Sequence, residues 1–248
     1  MKLLLIGCGH MGKALLKCFE ANSEITDISV VDPAFNSDKH QIFRNAEDIS
    51  GIFDVFVLAV KPQIYPNLKV QASVDHVISV MAGISHDQLS SDFSKSKIVR
   101  LMPNMAVSYK KGLSILYGQA KPDRSFFNKI LDNTGALQWV EKESDLDLLT
   151  LFNACGPGLL LGLLQEFVNV LQQYDLEEER AAKMMRQVFI GTSAILENDS
   201  QSLPDLIGSI ATKAGITEAC LNVLQPGFRS VLEETIKAGL SRIRTLKK

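Results

Sequence analysis

The chain opens Lys2-Leu3-Leu4-Leu5-Ile6-Gly7-Cys8-Gly9-His10-Met11-Gly12, an apolar run that passes directly into Gly-x-Gly-x-x-Gly and then into a helical pattern. That order predicts a β-strand, a tight turn and a helix, the context in which such a turn receives the pyrophosphate of a dinucleotide. Gly7 permits the turn, Gly9 lets the backbone approach a phosphate, and Gly12 lets the helix pack closely on its strand. His10 and Met11 lie where the helix begins. Amides there lack intrahelical partners, so a phosphate is expected at that terminus.

A glycine turn alone is weakly specific, and a second strand ending in an acid about 20 residues later strengthens it. Ile28-Ser29-Val30-Val31-Asp32 meets that requirement, with Asp32 at the expected distance beyond Gly12. A carboxylate at this place can accept both hydroxyls of an adenosine ribose. It opposes a 2'-phosphate by up to ~4 kcal/mol at about 4 Å and an effective dielectric of about 20. The cofactor is therefore expected to be NADH or NADPH, with NADH favoured. Lys39 and His40 can offset the carboxylate if the intervening loop folds back, and Asp32 can alternatively cap a turn with Pro33.

Up to about residue 140, short apolar runs alternate with helical patterns: 3–6, 28–31, 55–60, 77–80, 98–101, 113–116 and 137–140. This alternation predicts an α/β fold, a Rossmann-type doubly wound parallel sheet. After Glu141 the strand signals stop, and long amphipathic segments follow over 145–174, 176–198, 204–209 and 217–244. The expected division is a dinucleotide-binding domain over 1–142 and an all-helical domain over 143–248. Apolar positions 159, 160, 163, 164, 167, 168, 171 and 174 occupy most of a helix circumference. That pattern needs burial on several sides, supplied by a second subunit or by the helical domain itself.

Composition limits the function classes. A formal charge of -2, with 46% hydrophobic and 22% charged residues, describes a globular protein without the basic field that nucleic acid requires. The basic residues Arg242, Arg244, Lys247 and Lys248 read as a solvated helix end. Cys8, Cys18, Cys155 and Cys220 are scattered without metal-ligand spacing, so no metal is expected and the thiols read as reduced and structural. The first strand starts at once, leaving no room for a signal peptide, and the apolar stretch 159–164 falls short of a membrane span. No membrane partner and a cytoplasmic location are expected.

In a doubly wound sheet the ligand lies beyond the carboxyl ends of the strands. Residues immediately after the strands are Ala59-Val60-Lys61-Pro62-Gln63, Met81-Ala82-Gly83-Ile84-Ser85 and Met102-Pro103-Asn104-Met105. Asn104 can bind nicotinamide or ribose, or can close an Asx turn. Together with Asn153-Ala154-Cys155-Gly156-Pro157-Gly158 and Gln187-x-x-x-Gly191, these motifs follow one another as in the pyrroline-5-carboxylate reductases, which the chain resembles over nearly its whole length. The resemblance implies hydride transfer from NAD(P)H to the imine carbon of a small cyclic imino acid. It also implies a helical dimerisation domain that interlocks with its partner, and it places Ala59, Val60, Lys61 and Pro62 beside the nicotinamide.

The departures from that family pattern are specific. Asn153-Ala154-Cys155 stands where the family has Ser-Gly-Ser, and Gln165 stands where it has an acid. The loop Thr212-Lys213-Ala214-Gly215-Ile216-Thr217 stands where the family reads Ser-Pro-Gly-Gly-(Thr/Ala)-Thr. A glycine-containing turn that opens a helix still offers amides to a substrate carboxylate. Thr217 fits two roles, a helix N-cap or, by resemblance, the hydroxyl that meets the substrate nitrogen in catalysis. The isolated histidines His10, His40, His76 and His86 form no acid-base constellation. None is required, because a cyclic iminium is already electrophilic. Reduction of pyrroline-5-carboxylate to proline, reduction of another cyclic imine or small oxo acid, and a non-catalytic dinucleotide-binding role all remain open to the sequence.

Overall fold

The alternation of apolar side chains within each strand decides the architecture. Leu3 and Leu5 belong to one buried cluster with Leu15, Phe19, Val30, Val57 and Val99. Their neighbours Leu4 and Ile6 belong to a second, with Val31, Phe56, Leu58 and Val77. Successive strand residues point to opposite faces, so a strand apolar on both must be covered on both, which is the condition met by parallel strands joined through helices. The computed structural model describes residues 1–119 and 122–246.

Two compact units divide the chain, one of Met1–Pro157 with the residues from Ile243 onward and one of Gly158–Arg242. The boundary between these units falls inside a helix. The first unit contains β1 (Lys2–Ile6), α1 (His10–Glu20), β2 (Asp27–Val31), β3 (Gln41–Phe43), β4 (Ile52–Leu58) and β5 (Ser73–Ser79). It continues with α2 (His86–Asp92), β6 (Lys97–Pro103), β7 (Gly112–Tyr117), α3 (Arg124–Leu131) and β8 (Gly135–Trp139). The sheet order is β3-β2-β1-β4-β5-β6-β7-β8. From β1 the chain winds outward to β3 and then returns to β4 on the other side, so the carboxyl ends of β1 and β4 diverge. That is the topological switch point at which ligands bind.

Two features depart from the sequence reading. The edge strand β3 was not among the expected strands, because three residues, exposed Gln41 and half-buried Ile42 and Phe43, are too few to carry a periodicity. β7 runs antiparallel to β6, and β8 follows β7 in parallel, so the sheet is parallel-dominated rather than uniformly parallel. The segment between β6 and β7 holds only the 3-10 turn Met105–Tyr109, too short for the crossover that a parallel return requires.

His76 of β5 is half-buried against α3, its ring stacked on Phe126 with centroids 3.7 Å apart. Its Nδ1 lies 3.3 Å from the Asp54 carbonyl, which can only accept, so Nδ1 carries the proton. Nε2 is buried without a partner. Burial, reinforced by nearby Lys97, holds the His76 pKa below its ordinary 6.5 against the opposing effects of the Asp54 carbonyl, Asp75 and Asp123. The unfolded chain therefore binds this proton first, and the stability from neutral His76 is lost as pH falls below about 6.5 towards the folded-state value. Thermal melts from pH 7.5 to 5 should show a falling Tm. His76→Phe, which keeps the stacking and removes the titration, should flatten that slope, and an unchanged slope would show that other groups carry it.

The helical region consists of α4 (Glu143–Gln172), α5 (Glu178–Asn198), α6 (Leu203–Ile210) and α7 (Ile216–Leu246), with α4 and α7 running through the unit boundary. Its apolar stripe is not hidden by the chain itself. Val168 is buried, but Leu160 is 58% and Tyr174 78% exposed, so the alternative of internal burial fails. α4 is also long and apolar enough to cross a membrane, with a mean hydropathy of 1.5 in its most apolar window. Of the expected basic helix end, Arg242 is exposed, whereas the Arg244 side chain, Lys247 and Lys248 lie outside the described residues.

Candidate active site

A cleft of about 600 Å³ lies at the switch point, lined by Gly7, Gly9, Asp32, Arg44, Val60 and Lys61 among others. Gly7 follows β1 at φ +94°, and a Cβ there would stand 2.7 Å from the Ala59 carbonyl carbon. Gly12 would carry its Cβ 2.2 Å from the Gly7 oxygen. These two positions bring strand ends and helix together, and Gly12 is buried packing rather than a lining residue. Gly9 has open space where its Cβ would be, so its backbone is approachable from the cleft.

Gly9 is the N-cap of α1, without a side-chain cap and without an acidic residue in the first turn. The first amides of α1, from exposed His10 and half-buried Met11, are therefore left for an anion. Open backbone at Gly9 beside uncapped amides fits a dinucleotide pyrophosphate. Pro62 stands behind Lys61 in the turn, its carbonyl accepting the Tyr65 N–H at 3.2 Å.

Asp32 is both a cleft residue and a turn cap. Its Oδ2 accepts the Cys8 N–H at 2.8 Å, and its Oδ1 accepts the N–H groups of Ala34 and Phe35, each at 2.9 Å. Burial alone would raise the Asp32 pKa, but these three amides and nearby Lys13 outweigh it and hold the carboxyl below its ordinary value. A carboxylate offers about four acceptor sites, so one remains, enough for a single ribose hydroxyl rather than the expected pair. Cys8 is buried, and burial with the neighbouring Asp32 carboxylate raises its thiol to about 11 against the pull of Lys13. It is a packing residue and not a nucleophile.

Arg44, immediately after β3, lines this cleft together with Lys61 and Lys69. His40 pairs with Glu20 at 2.8 Å and, with Lys39, lines a separate hollow, so neither takes the compensating role expected of them. Arg44 Nη1 donates to the carbonyls of Asp32, Pro33 and Phe35 at 3.2, 3.1 and 2.8 Å, and Nη2 donates to Asn36 Oδ1 at 2.7 Å. Recognition of β3 was the signal that would have found it, since that strand fixes where the loop after Asp32 returns to the sheet.

Asn104, at the carboxyl end of β6, closes an Asx turn through Oδ1 to the Ala106 N–H at 3.1 Å. Its Nδ2 donates to Asn153 Oδ1 at 3.0 Å. Buried Asn153 in turn donates to the carbonyls of Met102 and Leu113 at 2.7 and 2.8 Å. Of the two roles open to Asn104, the Asx turn is the one formed, and its Nδ2 is engaged internally by Asn153. Nearby, Arg100 pairs with Glu143 at 2.6 Å and Asp147 at 3.6 Å, which ties the start of α4 to β6. Cys155 and Cys220 are exposed, so the structural reading holds for Cys8 and Cys18 alone.

The loop 212–217 belongs to the second unit. Thr217 is the second residue of α7 and not its cap, which is Gly215: the Ala219 N–H donates to the Gly215 carbonyl at 3.2 Å. Ala214 sits in the left-handed region at φ 58°, where a glycine costs less. Its N–H donates to Glu218 Oε2 at 2.7 Å, so that amide is already occupied. The Gly215 N–H is likewise taken, by the Thr212 carbonyl at 2.9 Å. Those of Ile216, Thr217 and Glu218, in the first turn, have no intrahelical acceptor. The Thr217 hydroxyl is thus spared from capping.

Comparison with known proteins agrees with this geometry. Residues 143–246 match the family described as pyrroline-5-carboxylate reductase dimerisation. The pyrroline-5-carboxylate reductase of Pasteurella multocida is 27% identical, covering 99% of this chain and 98% of that protein. That of Haemophilus influenzae is also 27% identical, covering 97% and 95%. Among solved structures, Plasmodium falciparum pyrroline carboxylate reductase with NADP bound superposes with a TM-score of 0.83 at 22% identity, covering 100% of this chain and 98% of that one. With a dimerisation domain matched over its helical region and similarity running from end to end, the chain is similar along its whole length to pyrroline-5-carboxylate reductases.

Proposed function

We propose that this protein reduces L-1-pyrroline-5-carboxylate to L-proline, the last step of proline biosynthesis, as a cytoplasmic homodimer or higher homo-oligomer that prefers NADH. The observation that carries the reading is the cleft at the switch point, built from an open glycine turn, uncapped helix amides and an acid at the end of β2, in a chain similar over its full length to reductases of that name. The NADP in the Plasmodium structure supports a nicotinamide dinucleotide as the cofactor class. When bound, reduced nicotinamide would supply the hydride for the imine carbon. Gly7, Gly9, His10, Met11 and Gly12 form the phosphate turn, Asp32 takes a ribose hydroxyl, and Ala59, Val60, Lys61 and Pro62 border the nicotinamide half, with Asn104 shaping the strand end behind them.

The residues Thr212, Lys213, Ala214, Gly215, Ile216 and Thr217 hold the substrate. Free first-turn amides and Lys213 suit its carboxylate, and the Thr217 hydroxyl suits its ring nitrogen. Exposed apolar side chains on the helices, Leu160 and Tyr174 among them, support burial against a second copy through the matched domain. Purified protein given NADH or NADPH with pyrroline-5-carboxylate should oxidise the nicotinamide, and no turnover with either would overturn the reading. The altered residues Asn153, Cys155 and Ala214 favour one alternative, a different cyclic imine, and comparing proline with pipecolate in the reverse direction decides it.

Two substitutions test the assignments. Asp32→Ser should move the kcat/KM ratio roughly tenfold towards NADPH by removing the like charge; an unchanged ratio would remove Asp32 from cofactor choice. Because Gly215 is the cap, Thr217→Ala should lower kcat at least tenfold while the Tm moves by less than about 2 °C. Full activity would leave Thr217 without a role in the reaction.

A further inference from the structure

Arg44 stands outside the motifs of the dinucleotide turn yet holds the loop that carries Asp32. Resting on the dinucleotide reading above, we propose that Arg44 is the positioning residue for cofactor choice: its guanidinium staples the turn after β2 and so keeps Asp32 presented to the adenosine ribose. The turn is held from two sides. Its amides, from Ala34 and Phe35, point to Asp32 Oδ1, and its carbonyls, from Asp32, Pro33 and Phe35, point to Arg44 Nη1. Asn36 Oδ1 completes the ring through Nη2. With Cys8 N–H on Oδ2, the carboxylate cannot rotate without breaking these bonds, and its remaining acceptor site belongs to the cleft.

The same bonds spend the terminal edge of the guanidinium fork, Nη1 and Nη2 together, on backbone and Asn36. That edge is one of the two that can grip a phosphate in two-pronged fashion, the other being Nε with Nη2. With that edge serving the loop, Arg44 has fewer donors left to offer a 2'-phosphate. A lysine cannot replace it, because one ammonium nitrogen cannot serve both the carbonyls held by Nη1 and the Asn36 carboxamide held by Nη2.

The test is fluorescence titration of NADH and NADPH against wild type, Arg44→Ala, Arg44→Lys and Asn36→Ala, with amide hydrogen exchange followed at Ala34 and Phe35. Wild type should bind NADH more tightly. Arg44→Ala should weaken NADH roughly tenfold with a smaller change for NADPH, and exchange at both amides should quicken. Arg44→Lys should fail to restore either property, and Asn36→Ala, which removes one bond of the four, should fall between. Loss of NADPH affinity alone would overturn the proposal by making Arg44 a phosphate ligand. An unchanged affinity ratio with unchanged exchange would overturn it by making Arg44 dispensable to the loop. Wild type binding neither nucleotide would instead bring down the dinucleotide reading itself.

Discussion

Replacing Gly12 with alanine is expected to lower stability by about 3 kcal/mol and NADH affinity roughly 100-fold. The new Cβ would stand 2.2 Å from the Gly7 carbonyl oxygen. Neither atom is the end of a flexible side chain, so α1 must move away from the turn and take its first amides with it. Gly9→Ala provides the contrast. Gly9 has φ -70°, which alanine adopts freely, and nothing within 4 Å of its Cβ position. Its Tm should stay within about 1 °C of wild type while nucleotide binding weakens, since the methyl occupies the space a pyrophosphate needs. Thermal melts and NADH titrations on both variants separate packing from recognition. A Gly12→Ala protein with native Tm and affinity would refute the close approach, and a Gly9→Ala protein with native affinity would place the phosphates elsewhere.

Arg100→Ala should cost about 3 kcal/mol, which at this chain length lowers the Tm by roughly 6–12 °C. The guanidinium is 2% exposed and faces two partly buried carboxylates, Glu143 and Asp147. Removing it leaves those charges without their cation and frees the start of α4 from the sheet. The Glu143 carboxylate also accepts the His86 N–H at 2.7 Å, so α2 should loosen too. Arg100→Met with Glu143→Gln should lose less than the two single changes added together, because each alone strands a partner. Additive losses in that cycle would mean that the pair does not act as a unit.

Much of the cofactor half could be read from the chain because its determinants are local. The glycine turn combines backbone permissiveness with helix initiation over six residues, and Asp32 announces itself as the end of a short buried strand. The apolar runs likewise locate most of the strands, since burial on both faces leaves no polar residue within them. Arg44 was not legible. It depends on β3, a three-residue edge strand with one exposed and two half-buried residues, whose pairing with β2 turns the chain back at that point. Asn104 was legible as a strand-end carboxamide but not in its partner, since Asn153 lies 49 residues away in sequence.

By itself, then, the sequence determined an α/β domain with a phosphate turn, an acid beside it and an all-helical second half. These follow from periodicity, backbone sterics and the placement of charge within a few residues. Only the tertiary structure decided the reversal of β7 and β8, the placement of Gly215 rather than Thr217 as the cap of α7, and the binding of three amides by Asp32. It also decided that the apolar stripe of α4 stays uncovered within one chain. Strand direction, hydrogen-bond satisfaction and burial are set by partners distant in sequence, and a pattern of residue types records the need for such a partner without recording which one answers it.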